Sequence, residues 1–332
     1  MCSLALIISF FILMKHWLHV NGQTSSETNT TEIFLIDEEI LEKLREDTIT
    51  KLEHDESGQC IFVKSEEGLY SYSSPGGYKE VCGLYIIADP SETVVFEFDE
   101  FDISCGNDGL ASMIDGWELN GQFFPTSKDH PVPREERFME YCGEKKPDRE
   151  FRMSQNVGLI EFRIPIQNEG FKVNVTFHKN PEPCNAILQN PQGVYTIRNH
   201  GKRLNCSVSI MFPESFQVIS SDVGVKLKEK VHPENETSRV VGLIRECREG
   251  ASDYVEIIGG DGLDTTIMRV AEAFCGIDNK PGKLKVGIAC GNTAVRMVSS
   301  GNYENSVTIA FDLMTDKYRS SSLVCPAFLD SL

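Results

Sequence analysis

The sequence predicts an all-β chain built from two tandem β-sandwich domains that are stapled by disulfides. Three observations predict this fold: a repeated cysteine spacing, many short strand-like segments, and little helical periodicity. Twenty-one residues separate Cys60 from Cys82, and the same number separates Cys184 from Cys206. A second pair follows in each half, at Cys105 and Cys142 and then at Cys247 and Cys275. The copies lie about 124 residues apart, a period that indicates duplication of a whole domain.

Short segments rich in β-branched and aromatic residues recur in both halves, as expected for strands. They lie at 93–98, 157–164 and 170–177, and again at 254–258, 284–288, 294–298 and 307–311. Turn-forming residues separate them, for example at 74–77 and 168–170. Because each half contains several such segments and no long helical pattern, we expect one β-sandwich in each half.

The N-terminal region differs from the rest of the chain. An apolar run at 4–14 and small residues at Val20 and Gly22 predict a signal peptide over residues 1–22. The alternative, a membrane anchor, would need a longer run than these 11 residues. Residues 23–56 form an acidic segment in which one amphipathic helix is expected around 37–47. The remaining chain divides into a first domain at 57–180 and a second at 181–332, joined by a proline-containing linker.

Secretion is the expected fate of this chain, without membrane insertion. Ten cysteines remain after the predicted cleavage, an even number that suits an oxidising compartment. Four glycosylation sequons begin at Asn29, Asn174, Asn205 and Asn235. Strand alternation places Asn174 opposite the apolar residues of 173–177, and therefore in solvent. The same alternation sets the polar residues of 205–209 opposite Cys206, Val208 and Ile210.

Charge and motif content restrict the classes of function. The formal net charge of −18 argues against a nucleic-acid partner and favours either plain solubility or attraction to basic peptides. The five histidines outside the signal peptide lie in polar or turn-like sequence and are expected at the surface: His54, His130, His178, His200 and His232. None belongs to a recognisable catalytic motif, so we predict neither an enzyme nor a cofactor or metal site.

Several local sequences carry a resemblance to known extracellular domains. Asp-Tyr-Val-Glu-Ile at 253–257 and the aromatic-Cys-Gly triplets at 141–143 and 274–276 resemble CUB domains. Longer stretches at 115–125, 154–157, 203–207 and 292–301 resemble the corticotropin-releasing factor-binding protein family, whose two domains are CUB-like. The likeness runs from about residue 55 to the C terminus and includes all ten cysteines.

The resemblance implies a consecutive disulfide pairing that the spacing alone does not select. The implied bridges are Cys60–Cys82, Cys105–Cys142, Cys184–Cys206, Cys247–Cys275 and Cys290–Cys325. Each closes a loop worth roughly 3–4 kcal/mol in the chain-entropy account. The last bridge would tether the C-terminal tail to the second domain.

Calcium binding is a property of many CUB domains, which use three acidic ligands. Asp108, Glu100 and Asp253 are candidates for two of the three positions. The regions expected to supply the third ligand, 163–167 and 299–302, contain no acidic residue. We therefore expect no calcium site.

The resemblance also implies a function. The chain would sequester a peptide hormone similar to corticotropin-releasing factor, or to a diuretic hormone, and so limit receptor activation. Such peptides are amphipathic helices and need an apolar strip with polar contacts beside it. The alternative is a CUB-type adhesion or matrix-assembly module that binds another extracellular protein.

The residues that would contact a peptide stay unassigned at this level. Trp117 either lines a groove or packs in the core, and packing is the commoner role for a single tryptophan. The segment around Cys60 is another candidate. Vertebrate members of the family are basic before this cysteine and acidic after it, whereas this chain has Asp55, Glu56 and Phe62 there. This departure predicts an invertebrate member with a divergent ligand.

Overall fold

The computed structural model of the chain describes residues 49–56, 58–77, 80–224, 242–245, 247, 251–278, 284–314 and 321–325. The predicted signal peptide, the helix at 37–47, His232 and the sequons at Asn29 and Asn235 lie outside the described residues. Strands, turns and two short 3-10 helices make up the described part, so the predicted all-β fold is confirmed. In this part of the chain no helix is long and apolar enough to cross a membrane.

The first sandwich contains twelve strands and two 3-10 turns, at Gly106–Asp108 and Arg134–Glu136. The strands are β1 (Thr50–Leu52), β2 (Ile61–Lys64), β3 (Gly68–Ser73), β4 (Cys82–Ile87), β5 (Glu92–Asp102), β6 (Leu110–Ile114), β7 (Trp117–Leu119), β8 (Gln122–Phe124), β9 (Phe138–Tyr141), β10 (Phe151–Arg152), β11 (Val157–Arg163) and β12 (Gly170–Lys179). One sheet has the order β1-β3-β12-β5-β10, the other has the order β2-β4-β11-β6-β9, and β7 pairs with β8 as a separate hairpin.

Alternation along the strands builds the first core. In β12, Val173 and Val175 are buried while Asn174 is only half-buried on the opposite face. Close approach of β12 to β3 requires Gly170, because a Cβ there would lie 1.9 Å from the carbonyl oxygen of Tyr72. Leu52 also enters this core from β1. The first sandwich therefore includes residues 50–52, predicted to lie in the acidic segment, since a three-residue strand is too short to show its period.

The described residues of the second sandwich form eleven strands. They are β13 (Ala186–Leu188), β14 (Gly193–Arg198), β15 (Cys206–Ile210), β16 (Glu214–Val223), β17 (Ile244–Arg245), β18 (Tyr254–Gly260), β19 (Arg269–Asp278), β20 (Lys285–Ala289), β21 (Asn292–Val298), β22 (Ser306–Leu313) and β23 (Leu323–Val324). One layer has the order β13-β15-β21-β18-β19, with β17 on β19. The other has the order β14-β22-β16-β20-β23, and β16 also pairs with the end of β19. All seven segments predicted as strands are strands here.

Five disulfides staple the two sandwiches: Cys60–Cys82, Cys105–Cys142, Cys184–Cys206, Cys247–Cys275 and Cys290–Cys325. The last of them holds β23, which runs parallel to β20. Cys290 and Cys325 are both buried in the second core. This short C-terminal strand is thus part of the packed domain rather than a surface tail.

The two sandwiches pack against each other within one compact unit that spans Thr48–Leu332. Asp129 of the first sandwich accepts hydrogen bonds from the Arg296 guanidinium, at 2.7 Å from Nη2 and 2.8 Å from Nε, and from Ser207 Oγ at 2.7 Å. Burial opposes ionisation of Asp129, but the bonds and charge of Arg296 outweigh it and lower the pKa. Asn156 reaches across the junction and bonds both backbone groups of Ile187.

The junction also buries the polar face of β15, which alternation alone would place in solvent. Ser207 and Ser209 do lie opposite the apolar residues of the strand, but both are buried rather than solvent-exposed. Ser207 bonds to Asp129, and Ser209 bonds to Asn292 at 3.0 Å. The polar face of this sheet is covered because the first sandwich docks on it, and no local pattern in the strand reports that contact.

Candidate functional site

The outer face of the β2-β4-β11-β6-β9 sheet points away from the first core. Strand register arranges this face in two neighbouring rows. The first row contains Val63, Tyr85, Leu159, Ile114 and Phe138, and the second contains Ile61, Gly83, Glu161, Ser112 and Glu140. The outer face is therefore apolar along one row and acidic along the next.

Part of this face is covered. The β7–β8 hairpin and Ile187 and Leu263 of the second sandwich pack over it and form a third apolar cluster. Trp117 lies inside this cluster, donates from Nε1 to the Ile86 carbonyl at 3.0 Å, and meets the Tyr85 ring edge-on at 5.4 Å. Of the two roles weighed for Trp117, the structure supports packing, because the indole is buried and its N–H is satisfied within the domain.

The edge of the same face is open. Among the described strands β2 pairs only with β4, and its Ile61 and Val63 side chains are 55% and 59% exposed. Val81, just before β4, is 51% exposed, and Leu119, at the end of β7, is 45% exposed. These four residues, which we call the open strip, are four of the nine large apolar side chains exposed in the described part of the chain. Exposed apolar residues at a sheet edge are typical of interaction sites.

Carboxylates border the open strip. The Tyr85 hydroxyl donates to the Glu118 backbone carbonyl at 2.8 Å, and the Glu118 carboxylate accepts from the Gly121 amide in the β7–β8 turn. Glu161 lies two strands from Ile61. Burial, and then the charge of Glu118, raise the pKa of Glu161. Within the described residues neither glutamate forms an ion pair. Arg163, two residues further along β11, instead turns to Asp108 and donates to its carbonyl at 2.8 Å.

The residues singled out around Cys60 from the sequence, Asp55, Glu56 and Phe62, do not lie on one common surface. Phe62 points to the core side of β2 and packs against Tyr72, with ring centroids 6.4 Å apart. Asp55 accepts from the Gln59 backbone amide at 2.8 Å and so shapes the preceding turn, while Glu56 is exposed. The surface side of this segment is formed by Ile61 and Val63, which flank Phe62 in sequence.

A concave surface, separate from the open strip, lies between the sandwiches. This groove of about 550 Å³ is lined by residues of both, including Ser65, Asp89, Leu188 and Tyr195. Its lip is formed by Val194, which is 67% exposed on β14, an edge strand that pairs only with β22. Asp89 caps its own turn through Ser91, so it is already engaged. The groove thus offers a mixed polar and apolar lining without a group of free charges of one sign.

Each of the candidate calcium ligands contacts another side chain of the protein. Glu100 pairs with Lys172 at 2.8 Å, and Asp108 faces Arg163. In the second sandwich the buried Asp253 accepts from the Asn305 side-chain amide at 2.7 Å. The other Asp253 carboxylate oxygen, Oδ1, has no hydrogen-bond partner among the described residues. The absence of a calcium site stays a prediction.

One histidine departs from the surface role expected for all of them. His130 is buried, and its Nε2 lies 3.2 Å from the Asp115 carboxylate. Burial disfavours the charged form of Asp115, but the hydrogen bond and charge of His130, with two bonds from Ser154, lower the pKa of this carboxyl. The loop that carries His130 also carries Asp129, so it is drawn under the second sandwich.

The two described sequons differ in setting. Asn174 lies in mid-strand on the outer face of the other first-domain sheet, between Leu69 and Glu97. Asn205 lies at the junction, where its side-chain amide donates to the Lys128 carbonyl at 3.1 Å. Glycosylation at these positions stays a prediction.

Glu118, Glu161 and the outward side of β2 were not singled out from the sequence. A signal did exist: Glu161 interrupts the apolar run of 157–162 at the parity of Val157 and Leu159. That parity shows that the outer face of the strand changes from apolar to acidic along its length. Which strands lie beside it, and that the edge stays open, follow only from the sheet order.

Comparison with known proteins agrees with this architecture. Residues 53–181 match the corticotropin-releasing factor binding protein N-terminal domain, and residues 186–318 match the C-terminal domain of the same protein. The human corticotropin-releasing factor-binding protein is 33% identical over 257 residues, which cover 76% of this chain and 74% of the human protein. The Xenopus laevis protein of that name is 31% identical over 282 residues, covering 84% and 82% respectively.

Among solved structures, the CUB1-EGF-CUB2 domains of rat MASP-1 match 76% of this chain and 99% of that one, with 13% identity and a TM-score of 0.25. The two family matches together span both sandwiches, and the relatives are identical to this chain at about a third of the aligned positions. The chain belongs to the corticotropin-releasing factor-binding protein family.

Proposed function

We propose that this chain is a secreted binding protein that sequesters a peptide hormone of the corticotropin-releasing-factor type and limits its access to receptors. The relatives are named for binding corticotropin-releasing factor. The observation that carries the proposal to this chain is the open strip with Glu118 and Glu161 beside it. An apolar strip with charged neighbours suits an amphipathic peptide, whose apolar face it covers.

The protein would act by mass action, through binding alone and without a chemical reaction of the peptide. Peptide held by the protein is withdrawn from the free pool, and a nanomolar dissociation constant corresponds to about −12 kcal/mol. The five disulfides suit an extracellular setting, where thiols are oxidised. The net charge of −18 would speed capture of a basic peptide by electrostatic attraction.

Isothermal titration of the secreted protein with a synthetic diuretic peptide related to corticotropin-releasing factor tests this function. A scrambled peptide of the same composition controls for nonspecific charge attraction. We expect saturable one-site binding of the real peptide and a rise in unfolding free energy of about 2.7 kcal/mol at a hundredfold excess over the dissociation constant. Equal heats from both peptides would reject the function and favour an adhesion or matrix-assembly role.

A further inference from the structure

We propose that the open strip, together with Glu118 and Glu161, binds a segment of the peptide that presents aliphatic side chains beside a lysine or arginine. This inference rests on the proposed function and specifies which surface takes the ligand and which side chains select it. The aliphatic side chains would lie on Ile61 and Val63, and the cation would lie between the two glutamates.

The apolar half of this surface follows from the sheet. Register pairs Ile61 with Gly83 and Val63 with Tyr85, so both side chains stand on the outer face. Gly83 is required there because the Tyr85 ring lies over it, and a Cβ would meet that ring at 2.6 Å. The Tyr85 ring itself is buried in the cluster with Trp117, so the accessible apolar surface at this edge is formed by the exposed β2 side chains and Val81. The Tyr85 hydroxyl donates to the Glu118 backbone carbonyl, which places the β7 backbone next to Leu119 beside the same row.

The acidic half lacks a cation of its own. Glu161 is half-buried, so its charge is only partly solvated, and the nearby Glu118 adds like-charge repulsion. A cationic side chain placed between them would relieve both effects. The nearest basic residue along β11, Arg163, is held by Asp108. Arg134 stacks at 4.5 Å on Phe123, the cross-strand neighbour of Glu118, but forms no ion pair with either glutamate within the described residues.

Charge complementarity decides between possible occupants of this surface. A second copy of the chain would bring a net charge of −18 toward the two glutamates. The chain's own segment 23–56 is also acidic, with acidic residues at 53, 55 and 56 shortly before the strip in sequence. Both are disfavoured by like-charge repulsion, whereas a basic amphipathic peptide is attracted. The peptide is therefore the occupant to which we commit.

Matched variants separate this surface from the rest of the molecule. The test pair is Ile61→Thr with Val63→Thr, and Glu161→Gln. The control pair is Val194→Thr, another exposed β-branched residue on an edge strand, and Glu97→Gln, an exposed acid on the other sheet. Threonine keeps the branched shape needed in a strand, and glutamine keeps the shape of glutamate, so all four proteins should fold.

Affinity for the synthetic diuretic peptide is measured for each variant. We expect the dissociation constant to rise about tenfold in the Ile61→Thr/Val63→Thr protein and about tenfold in the Glu161→Gln protein. The control variants should bind as tightly as the parent. A peptide in which glutamine replaces the lysines and arginines should bind the parent more weakly than the original peptide does. The same replacement should weaken binding to the Glu161→Gln protein by a smaller factor, which identifies the glutamate as a partner of the cation.

Acidification supplies a second readout. Because the pKa of Glu161 is raised, this carboxyl loses its charge at a higher pH than an ordinary glutamate does. Peptide affinity of the parent should therefore weaken as the pH falls, beginning at a higher pH than an ordinary glutamate would give, and the Glu161→Gln protein should show a flatter profile.

The outcomes distinguish the two proposals. If the parent protein fails to bind the peptide, the proposed function is wrong. If the parent binds but the β2 and Glu161 variants bind equally well, the function stands and this inference is overturned. Loss of affinity in Val194→Thr alone would overturn it too and would place the peptide in the groove between the sandwiches.

Discussion

Replacing Glu214 with glutamine should stabilise the protein, and by more at higher pH. Glu214 lies at the start of β16 on the core side, in register with Ile288 of β20 and Leu313 of β22. Its side chain is fully buried, and neither carboxylate oxygen has a hydrogen-bond partner among the described residues. Burial, and then the charge of Asp312, raise the pKa of this carboxyl from 4.5 to about 8.

The sign and size of the effect follow from proton linkage. Between pH 4.5 and about 8 the folded state holds a proton on Glu214 that the unfolded state has lost. Stability therefore falls as pH rises through this window, by about 1.4 kcal/mol per pH unit, and levels off above it. The whole window is worth roughly 5 kcal/mol. Glutamine does not titrate, so Glu214→Gln removes this loss.

Guanidinium denaturation followed by circular dichroism at about pH 5 and about pH 8 measures this effect. We expect parent and Glu214→Gln to agree within about 1 kcal/mol at the lower pH and to differ by roughly 3–5 kcal/mol at the higher one. Glu97→Gln, at an exposed position, should show no such divergence. If the parent and the Glu214→Gln protein differ by the same amount at both pH values, then Glu214 is charged in the folded protein and the reasoning is refuted.

Three further substitutions test the packing. Asp129→Asn should cost about 3–5 kcal/mol and expose the junction to amide hydrogen exchange, because Arg296 would lose its bidentate carboxylate and keep only the longer contact with Glu256 at 3.4 Å. Unchanged exchange there would mean that the Asp129–Arg296 pair contributes little to the junction. Gly170→Ala should destabilise by about 1–3 kcal/mol or more in thermal unfolding, because its methyl group would collide with the Tyr72 carbonyl, and a neutral result would mean that β12 can shift. Trp117→Phe should cost about 1–3 kcal/mol by denaturation without weakening peptide binding, and a selective loss of affinity would restore Trp117 as a ligand contact.

Strands β12 and β15 show how far alternation along a strand predicts burial. Both strands show the same alternation of apolar and polar residues, and the alternation correctly identifies the two faces of each. In β12 the polar face remains partly exposed at Asn174, whereas in β15 the polar face is buried at Ser207. The difference comes from Asp129, which is distant in sequence and docks only on the second strand.

The candidate site also shows what a local sequence pattern cannot predict. The sequence pointed to the neighbourhood of Cys60, but to Asp55, Glu56 and Phe62 rather than to Ile61 and Val63. Strand parity alone says that Phe62 and its neighbours point to opposite faces. It does not say which face is the core, because that depends on how β2 pairs with β4 and how the two sheets stack.

The sequence by itself determined the duplication, the all-β class and the approximate strand positions. These properties are recorded in cysteine spacing and in a two-residue period, which are read over short stretches of chain. The tertiary structure alone decided that Trp117 and Ser207 are covered, that the buried Glu214 carboxylate has no hydrogen-bond partner among the described residues, and that β2, two strands from Glu161, is an edge of the described sheet. Those outcomes depend on contacts between residues tens to hundreds of positions apart, whose free energies no local pattern contains.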